Sequence, residues 1–392
     1  MVVTNPVFSR FFFQLSTQYA KIFPKGVFMA GLSCGIVGLP NVGKSTLFNA
    51  LTSNQAPASN YPFCTIDPNI GVVEVYDPRL EVLSSLSHSK KLVYATMQFV
   101  DIAGLVAGAS KGEGLGNKFL ANIRETDAIV HVVRCFESSD IVHVSGKIDP
   151  IHDIEIINLE LRLADLQMIE NTVSRLEKQV KTKKELVPVV DLLKRLETHL
   201  NSDKPVRSFP FTHEEQELIK PYGFLSSKKV LYVANVSEDD LPEMDNELVR
   251  KVRAYAEAEG NAVIPVSAKL EEEIAQLPPN ERKTFLEGLG LKESGLQRLI
   301  KASFHMVGLI TYLTTGEIET RAWTILDGTN AAEAAGKIHT DIQKGFIRAE
   351  VVPYDDMVSY KGRVAAREAG KVRAEGKEYI VKDGDVILFM HH

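Results

Sequence analysis

Gly38-Leu39-Pro40-Asn41-Val42-Gly43-Lys44-Ser45 directly follows the apolar stretch Cys34-Gly35-Ile36-Val37. This order predicts a buried strand, a phosphate-binding loop and a helix over 46–51. Glycines at both ends let consecutive backbone N–H groups and the helix N-terminus turn toward a polyphosphate. Lys44 is placed to reach the β- and γ-phosphates, and the Ser45 hydroxyl is a hard oxygen ligand of the kind Mg²⁺ prefers. We therefore expect a nucleotide-binding protein of the α/β class.

Composition narrows the class of protein less than the motif does. The chain has 392 residues, a net charge of -6 and 44% hydrophobic residues, which fits two or three globular domains. No stretch looks membrane-spanning, and the overall charge does not indicate a nucleic-acid binder. Cys34, Cys64 and Cys135 are far apart and lack CxxC spacing, which favours structural thiols in a reducing cytoplasm over zinc or disulfides.

The first 28 residues differ from the rest of the chain. They contain three basic residues, no acidic residue and the cluster Phe11-Phe12-Phe13, ahead of a second methionine, Met29. This composition is typical of a targeting peptide, but it also fits an upstream start codon with Met29 as the true start. We exclude residues 1–28 from the fold in either case.

Buried-type strands alternate with helical segments in the first half of the chain, which predicts a parallel α/β sheet. The predicted strands there are 36–37, 71–75, 96–100 and 128–133, and strand signals of the same sheet resume later, at 230–234 and 263–266. We assign them to one nucleotide-binding domain over 32–304.

An insertion over 151–225 interrupts this domain. Apolar residues recur at steps of three and four from Leu159 to Val180, and a second such series runs over 186–200. The polar run Lys181-Thr182-Lys183-Lys184 separates the two series. We expect two antiparallel helices forming a coiled-coil hairpin.

Short strands return in the C-terminal part, 305–392. They are expected at 322–326, 346–351, 379–381 and 386–389, around one helix near 331–343. Asp383-Gly384-Asp385 is typical of a hairpin turn. Strands surrounding a single helix suggest a small β-grasp domain.

Asp101-Ile102-Ala103-Gly104 ends a predicted strand downstream of the phosphate loop. At that place a carboxylate holds the Mg²⁺ hydration shell, and the amide of Gly104 would meet the γ-phosphate. Glycines recur over 105–120, which indicates a segment that orders around the γ-phosphate and relaxes after hydrolysis. Thr65 is a candidate second metal ligand, with a surface threonine as the alternative.

Base recognition is the most discriminating signal. Guanine-binding switch proteins use NKxD, in which the aspartate accepts hydrogen bonds from the guanine N1–H and amino group. Here Asn235-Val236-Ser237-Glu238 follows the strand, so the stacking lysine is replaced and the carboxylate is moved outward. The departure favours ATP. Ser267-Ala268-Lys269 resembles the loop that closes over the base.

The motifs above do not identify the group that activates the attacking water. Leu105 stands where many switch GTPases have glutamine, and leucine cannot orient water. Asn41 could help to coordinate a monovalent cation such as K⁺ near the phosphates. His131 and His143 are candidates for catalysis, and each has the alternative of a packed or solvated histidine.

Several long motifs resemble those of one known family, the YchF-type Obg-like ATPases. The motifs are GLPNVGKST, NYPFCTIDPN, DIAGLVAGASKGEGLGNKFL, HVVRCFE with HVSGK, NVSE, AWTILDG, AAGKIHTDIQKGFIRAE and YIVKDGDVI. The resemblance implies an Obg-type G domain, a coiled-coil insertion and a C-terminal TGS domain of ubiquitin-like form. It also implies ATP preference over GTP, and association with the ribosome, both 70S and the large subunit, in translation or stress regulation.

The resemblance assigns roles to individual residues. It places Mg²⁺ at Ser45 and Thr65, adenine beside the segment from Asn235 to Glu238 with backbone contacts from Val236, and catalysis at His143. The residues it places at the phosphates are Asn41, Val42, Gly43, Lys44, Ser45 and Thr46.

Two hypotheses remain open. The first is a monomeric ATP-hydrolysing switch that uses Lys44, Ser45, Thr65 and Asp101. The second is a ribosome- or RNA-binding adaptor in which hydrolysis is incidental. Its RNA contact would be a basic cluster that is equally compatible with a solvated surface: Lys361, Arg363, Arg367, Lys371, Arg373 and Lys377. A GTPase is disfavoured by Val236 and Glu238.

Overall fold

Two six-stranded sheets organise the molecule, in a computed structural model that describes residues 32–53, 69–102, 115–137 and 148–392. Leu32–His392 forms one compact unit. The strands are β1 (Ser33–Val37), β2 (Ile70–Val75), β3 (Lys91–Val93), β4 (Ala95–Asp101), β5 (Ala128–Arg134), β6 (Lys229–Asn235), β7 (Ala262–Val266), β8 (Leu309–Thr315), β9 (Glu319–Leu326), β10 (Phe346–Pro353), β11 (Arg373–Glu375) and β12 (Asp385–His391).

Helices lie between these strands and cover the sheets. They are α1 (Lys44–Thr52), α2 (Pro78–Ser87), α3 (Leu115–Glu125), α4 (Pro150–Val180), α5 (Val187–Asn201), α6 (His213–Ile219), α7 (Glu247–Ala258), α8 (Ala268–Gln276), α9 (Pro279–Gly288), α10 (Gly295–Met306), α11 (Ala331–Ile338), α12 (Thr340–Lys344), α13 (Tyr354–Ser359) and α14 (Arg363–Glu368). No helix among the described residues combines the length and the apolar character needed to cross a membrane.

The first sheet carries the phosphate-binding loop and has the strand order β2-β4-β1-β5-β6-β7. Strands β1 and β5 are buried at every position, as expected of central strands covered on both faces. The expectation of a purely parallel sheet is wrong at one edge, because β2 pairs antiparallel with β4. Buried and half-buried positions alternate along β2, which is the pattern of an antiparallel edge strand with one solvated face.

Helices α4 and α5 form the predicted antiparallel hairpin. Lys194 pairs with Glu177 at 2.7 Å and Arg162 with Asp203 at 3.0 Å, so residues later in one helix meet residues earlier in the other. Helix α4 begins at Pro150, well before the predicted apolar series, because the Asp149 carboxylate caps its first turn.

The apolar face of α4 also differs from the prediction. Leu159 is 43% exposed, whereas Ile154, Ile157 and Leu161 are buried against the first sheet. The first part of the helix therefore faces the sheet with a different set of side chains from those that the spacing alone selects.

The second sheet has the order β11-β10-β12-β8-β9-β3. Strand β3 comes from the first half of the chain and pairs parallel with β9. The expected strand at 379–381 is instead a single bridge between Ile380 and Asn330. The turn at Gly384 (φ 80°) leads into β12, which lies between β10 and β8, so it is not the turn of a hairpin.

The single helix expected over 331–343 is interrupted. His339 is extended (φ -162°, ψ 145°). Its ring accepts a hydrogen bond from the Asp341 N–H, and this contact caps the start of α12 at Thr340. Helices α13 and α14 also lie in this part of the chain, beyond the one helix that the sequence predicted.

Candidate functional site

The loop between β1 and α1 has the backbone of a phosphate-binding loop. Asn41 (φ 65°) and Gly43 (φ 93°) both have left-handed conformations, and Gly43 immediately precedes α1. A Cβ atom on Gly43 would lie 2.1 Å from the Asn235 Nδ2 atom, so only glycine fits. Ser45 is exposed at the start of the helix and Thr46 is half-buried. The first turn of α1 therefore presents backbone N–H groups and a hydroxyl to an anion.

Lys44 and Asp101 form an ion pair across the top of the sheet. Strands β1 and β4 are parallel neighbours with Ile36 opposite Asp101, so the loop after β1 and the end of β4 meet at the same edge. Lys44 is only 9% exposed. The structure thus brings together the predicted phosphate-binding lysine and the predicted carboxylate near the metal.

Asn235 connects three segments of the candidate site. It ends β6, its Nδ2 atom donates to the Val42 carbonyl oxygen at 2.9 Å, and its Oδ1 atom accepts from the Ala268 N–H at 3.0 Å. The amide side chain is buried. It therefore fixes the phosphate loop against the loop after β7, where the sequence placed the closure over the base.

The rest of the base-side motif is also held by protein contacts. The Val236 N–H donates to the Val266 carbonyl oxygen at 2.9 Å, so a backbone contact from Val236 to a base would come from its carbonyl oxygen. Glu238 begins a short 3₁₀-helix and pairs with Lys269 at 2.8 Å. Sequence reasoning identified Glu238 and the 267–269 loop separately but missed their ion pair, because nothing in the spacing joins two loops so far apart.

Three predicted site residues, Thr65, Gly104 and His143, lie outside the described residues. The same holds for Leu105, for most of the glycine-rich segment after it, and for Cys64. Their roles stay predictions.

His131 is a packed histidine. It is 2% exposed, its ring lies 5.6 Å from that of Tyr232, and its Nε2 atom has no hydrogen-bond partner among the described residues. Burial, with the nearby charge of Arg207, lowers the pKa of His131 to about 3. It therefore stays neutral at physiological pH, which supports the structural alternative.

Two of the cysteines are also structural. Cys34 and Cys135 are free and buried, and burial raises the pKa of each thiol to about 12. No cluster of three or more His, Cys, Asp or Glu side chains suited to a metal occurs among the described residues. A Mg²⁺ ion held by one or two protein oxygens does not need such a cluster.

Two family models match parts of this chain. Residues 33–172 match a family model described as a 50S ribosome-binding GTPase. Residues 309–392 match the C-terminal model of YchF GTPases, which is described as a protein of unknown function.

Similar proteins cover nearly the whole chain. The protein named ribosome-binding ATPase YchF of Bacillus subtilis is 57% identical over 360 residues, which is 91% of this chain and 98% of that protein. The protein of the same name from Haemophilus influenzae is 54% identical, over 92% and 99%.

A solved structure, that of the Schizosaccharomyces pombe YchF GTPase, superposes with a TM-score of 0.82 at 38% identity, covering 92% of this chain and 97% of that one. The bacterial relatives are thus named ATPases and the solved protein a GTPase. The extent and identity of these matches show that the chain belongs to the YchF family, with its P-loop domain of Obg type and its C-terminal YchF domain.

Proposed function

We propose that this protein is an ATP-binding and ATP-hydrolysing P-loop switch that associates with the ribosome. The observation that carries the proposal is the convergence of Lys44, Asp101 and Asn235 at the carboxyl ends of parallel strands around a left-handed loop. Ligands of open α/β sheets bind at this edge. The names of the bacterial relatives, ribosome-binding ATPases, support both parts of the proposal.

The residues at the loop suit a magnesium nucleotide. Ser45 offers an exposed hydroxyl and Asp101 a carboxylate, both hard oxygen donors. Lys44, now paired with Asp101, would hold the β- and γ-phosphates of a bound nucleotide, and Asp101 would then be free to hold the hydration shell of the metal. Bound there, Mg²⁺ supplies neutralisation of charge on the phosphate oxygens. Thr65 completes the proposed metal ligands.

The remaining catalytic assignments extend this proposal. We assign activation of the attacking water to His143, contact with the γ-phosphate to the Gly104 amide, and coordination of K⁺ to Asn41. Leucine at position 105 leaves the usual glutamine role vacant, which is why another group is needed.

The proposed preference for ATP over GTP is inferred from the residues expected to lie beside the base, Val236 and Glu238. In the guanine motif an aspartate accepts two hydrogen bonds from the base, whereas here the Glu238 carboxylate is engaged by Lys269. The buried Val236 replaces the lysine that would stack on guanine. A negative carboxylate facing the adenine N1 lone pair would be repulsive, so its engagement elsewhere suits adenine.

The C-terminal basic cluster gives little support to an RNA contact there. Arg363 donates to the carbonyl oxygens of Glu350 and Val386, and Arg367 pairs with the Glu350 carboxylate. Lys371 lies 3.7 Å from Asp356. Internal partners thus engage several of these positive charges.

A better candidate for contact with RNA phosphates is the turn of the helical hairpin. Lys181, Lys183 and Lys184 are exposed there, and none forms an ion pair with another described residue. We propose the large ribosomal subunit as the partner, and a cytoplasmic monomer as the active form.

Substitution of Lys44 tests the proposal against the adaptor alternative. Lys44→Ala should lower phosphate release from ATP by at least about a hundredfold, since the β- and γ-phosphates lose the positive charge of the phosphate loop. Co-sedimentation with ribosomes, run on the same samples with and without ATP, measures binding separately. Full hydrolysis by Lys44→Ala would contradict the switch. Unchanged nucleotide dependence of ribosome binding in a hydrolysis-dead variant would favour the adaptor.

A further inference from the structure

The strand that ends in Asp101 begins at the second sheet. Only Tyr94 separates β3 from β4, and β3 pairs parallel with β9, with Leu92 opposite Thr320 and Val93 opposite Arg321. Strand β4 then runs through the first sheet to Asp101, the partner of Lys44. One continuous stretch of chain therefore joins the C-terminal sheet to the candidate nucleotide site.

Arg79 ties the same segment to the C-terminal part a second time. Its guanidinium chelates Asp77, with Nε and Nη2 donating at 2.9 and 2.8 Å, and its Nη1 atom donates to Asp383 at 2.8 Å. Nη2 also lies 3.3 Å from the Thr311 hydroxyl oxygen. Gly384 beside it has a left-handed backbone (φ 80°), and a Cβ atom there would lie 2.5 Å from Nη1, so glycine leaves room for the guanidinium.

Further hydrogen bonds strengthen the junction beside β3. The Ser89 hydroxyl donates to the Gly316 carbonyl oxygen at 2.7 Å, and the Lys90 N–H to that of Glu317 at 3.0 Å. These contacts cross from the chain between β2 and β4 to the turn between β8 and β9. The segment between β2 and β4 is therefore hydrogen-bonded directly to the second sheet.

We propose that Arg79 is a positioning residue for the nucleotide site, because it holds the β2–β4 pair against the C-terminal sheet. When Lys44 leaves Asp101 for a nucleotide phosphate, the resulting shift of β4 would displace β3 relative to β9. The proposal rests on the nucleotide function proposed above. It gives the C-terminal part a mechanical connection to the site, since the strand that carries Asp101 cannot shift without straining the contacts of Arg79 or of β3.

The chain contains its own reporter of this coupling. Trp323 is its single tryptophan and lies on β9. The guanidinium carbon of Arg321, the residue opposite Val93, lies 4.8 Å from the ring centre, and the indole N–H donates to the Thr314 hydroxyl at 2.9 Å. A small shift of β3 against β9 changes these contacts and hence the emission of the indole.

The test titrates the full chain with Mg·ATP while tryptophan emission is recorded, and measures nucleotide affinity separately by displacement of a fluorescent nucleotide. The wild type should show a saturable emission change with the same midpoint as binding. Arg79→Ala should bind nucleotide within about threefold of wild type, lose most of the emission change and lower kcat about tenfold with little change in KM. Arg79→Lys, which retains a donor toward Asp383, should recover part of both.

Controls separate positioning from folding and from nucleotide binding. Arg348→Ala removes an exposed arginine that pairs with Glu350 and should leave emission and kcat unchanged. If Arg79→Ala does not fold, Asp383→Asn removes the same ion pair from the other side. Silent emission in a wild type that binds nucleotide, or a full response in a folded Arg79→Ala or Asp383→Asn, would overturn the proposal. Absence of nucleotide displacement by the wild type would instead contradict the proposed function itself.

Discussion

At the scale of single residues, two buried side chains show how polar groups are accommodated in opposite ways. Asn235 uses both ends of its amide, donating to Val42 and accepting from Ala268, so its burial is compensated and it orders the site. His131 is buried without a partner for Nε2 among the described residues and is held neutral. The first arrangement serves the loop geometry, and the second has a consequence for acid stability.

His131 should make the protein less stable in acid. Because its pKa falls from 6.5 to about 3 on folding, the unfolded chain binds a proton that the folded chain does not, and stability is lost as the pH falls below 6.5 toward 3. We expect the free energy of unfolding of wild type to fall more steeply than that of His131→Gln, by about 1.4 kcal/mol per pH unit near pH 5. Urea titrations between pH 5 and 8 measure both slopes, and parallel slopes would contradict a neutral buried imidazole.

At the scale of elements, the helical hairpin is attached to the rest of the molecule by a buried carboxylate. Asp165 on α4 is fully buried and accepts from the Leu225 and Ser226 N–H groups at 2.8 Å and from the Ser226 hydroxyl at 2.7 Å. Its burial raises the pKa of the carboxyl, while the three donors oppose that shift. Asp165 thus adds a polar attachment, in which one carboxylate serves three donors, to the apolar packing of the same helix.

Asp165→Ala should lower the free energy of unfolding by about 3 kcal/mol, because it leaves three buried donors without an acceptor. Glu177→Ala is the matched control, since it removes a half-exposed carboxylate from the same helix and should cost less than about 1 kcal/mol. Chemical denaturation of the two variants gives the comparison. Equal losses would mean that the Asp165 contacts contribute no more than a surface ion pair.

The exposed lysines at the turn of the hairpin should contribute to ribosome binding. Lys183→Ala/Lys184→Ala should weaken ribosome binding and make the slope of log K against log salt less negative by about 1 to 2, because fewer counterions are released from RNA. ATP hydrolysis without ribosomes should not change. The double variant Lys283→Ala/Lys292→Ala, which removes two other exposed lysines, is the control. A weakened complex with an unchanged salt slope would indicate a protein surface instead of RNA.

At the scale of the whole molecule, the features that could be predicted from the sequence are those determined by residues close together in the chain. The phosphate loop, the central strands and the two hairpin helices follow from neighbouring residues, and the structure confirms them. Strand β3 has three residues and no periodicity, and its partner β9 lies in the last quarter of the chain, so its place in the second sheet could not be predicted. The break at His339 was missed because neither Gly nor Pro marks it.

The same division applies to the candidate site. Lys44, Asp101 and Asn235 belong to motifs whose spacing specifies their positions, and the fold brings them together. The ion pairs Glu238–Lys269 and Arg79–Asp383 depend on which loops meet in three dimensions, which no local pattern reveals.

The central claim is that this loop binds a magnesium nucleotide and that its base side selects adenine. It is tested most directly by equilibrium displacement of a fluorescent nucleotide with ATP and with GTP in magnesium buffer. We expect ATP to displace at a concentration at least about tenfold lower than GTP, a difference of about 1.4 kcal/mol, with Lys44→Ala losing affinity for both. Equal displacement by the two nucleotides, or tighter binding of GTP, would contradict the claim.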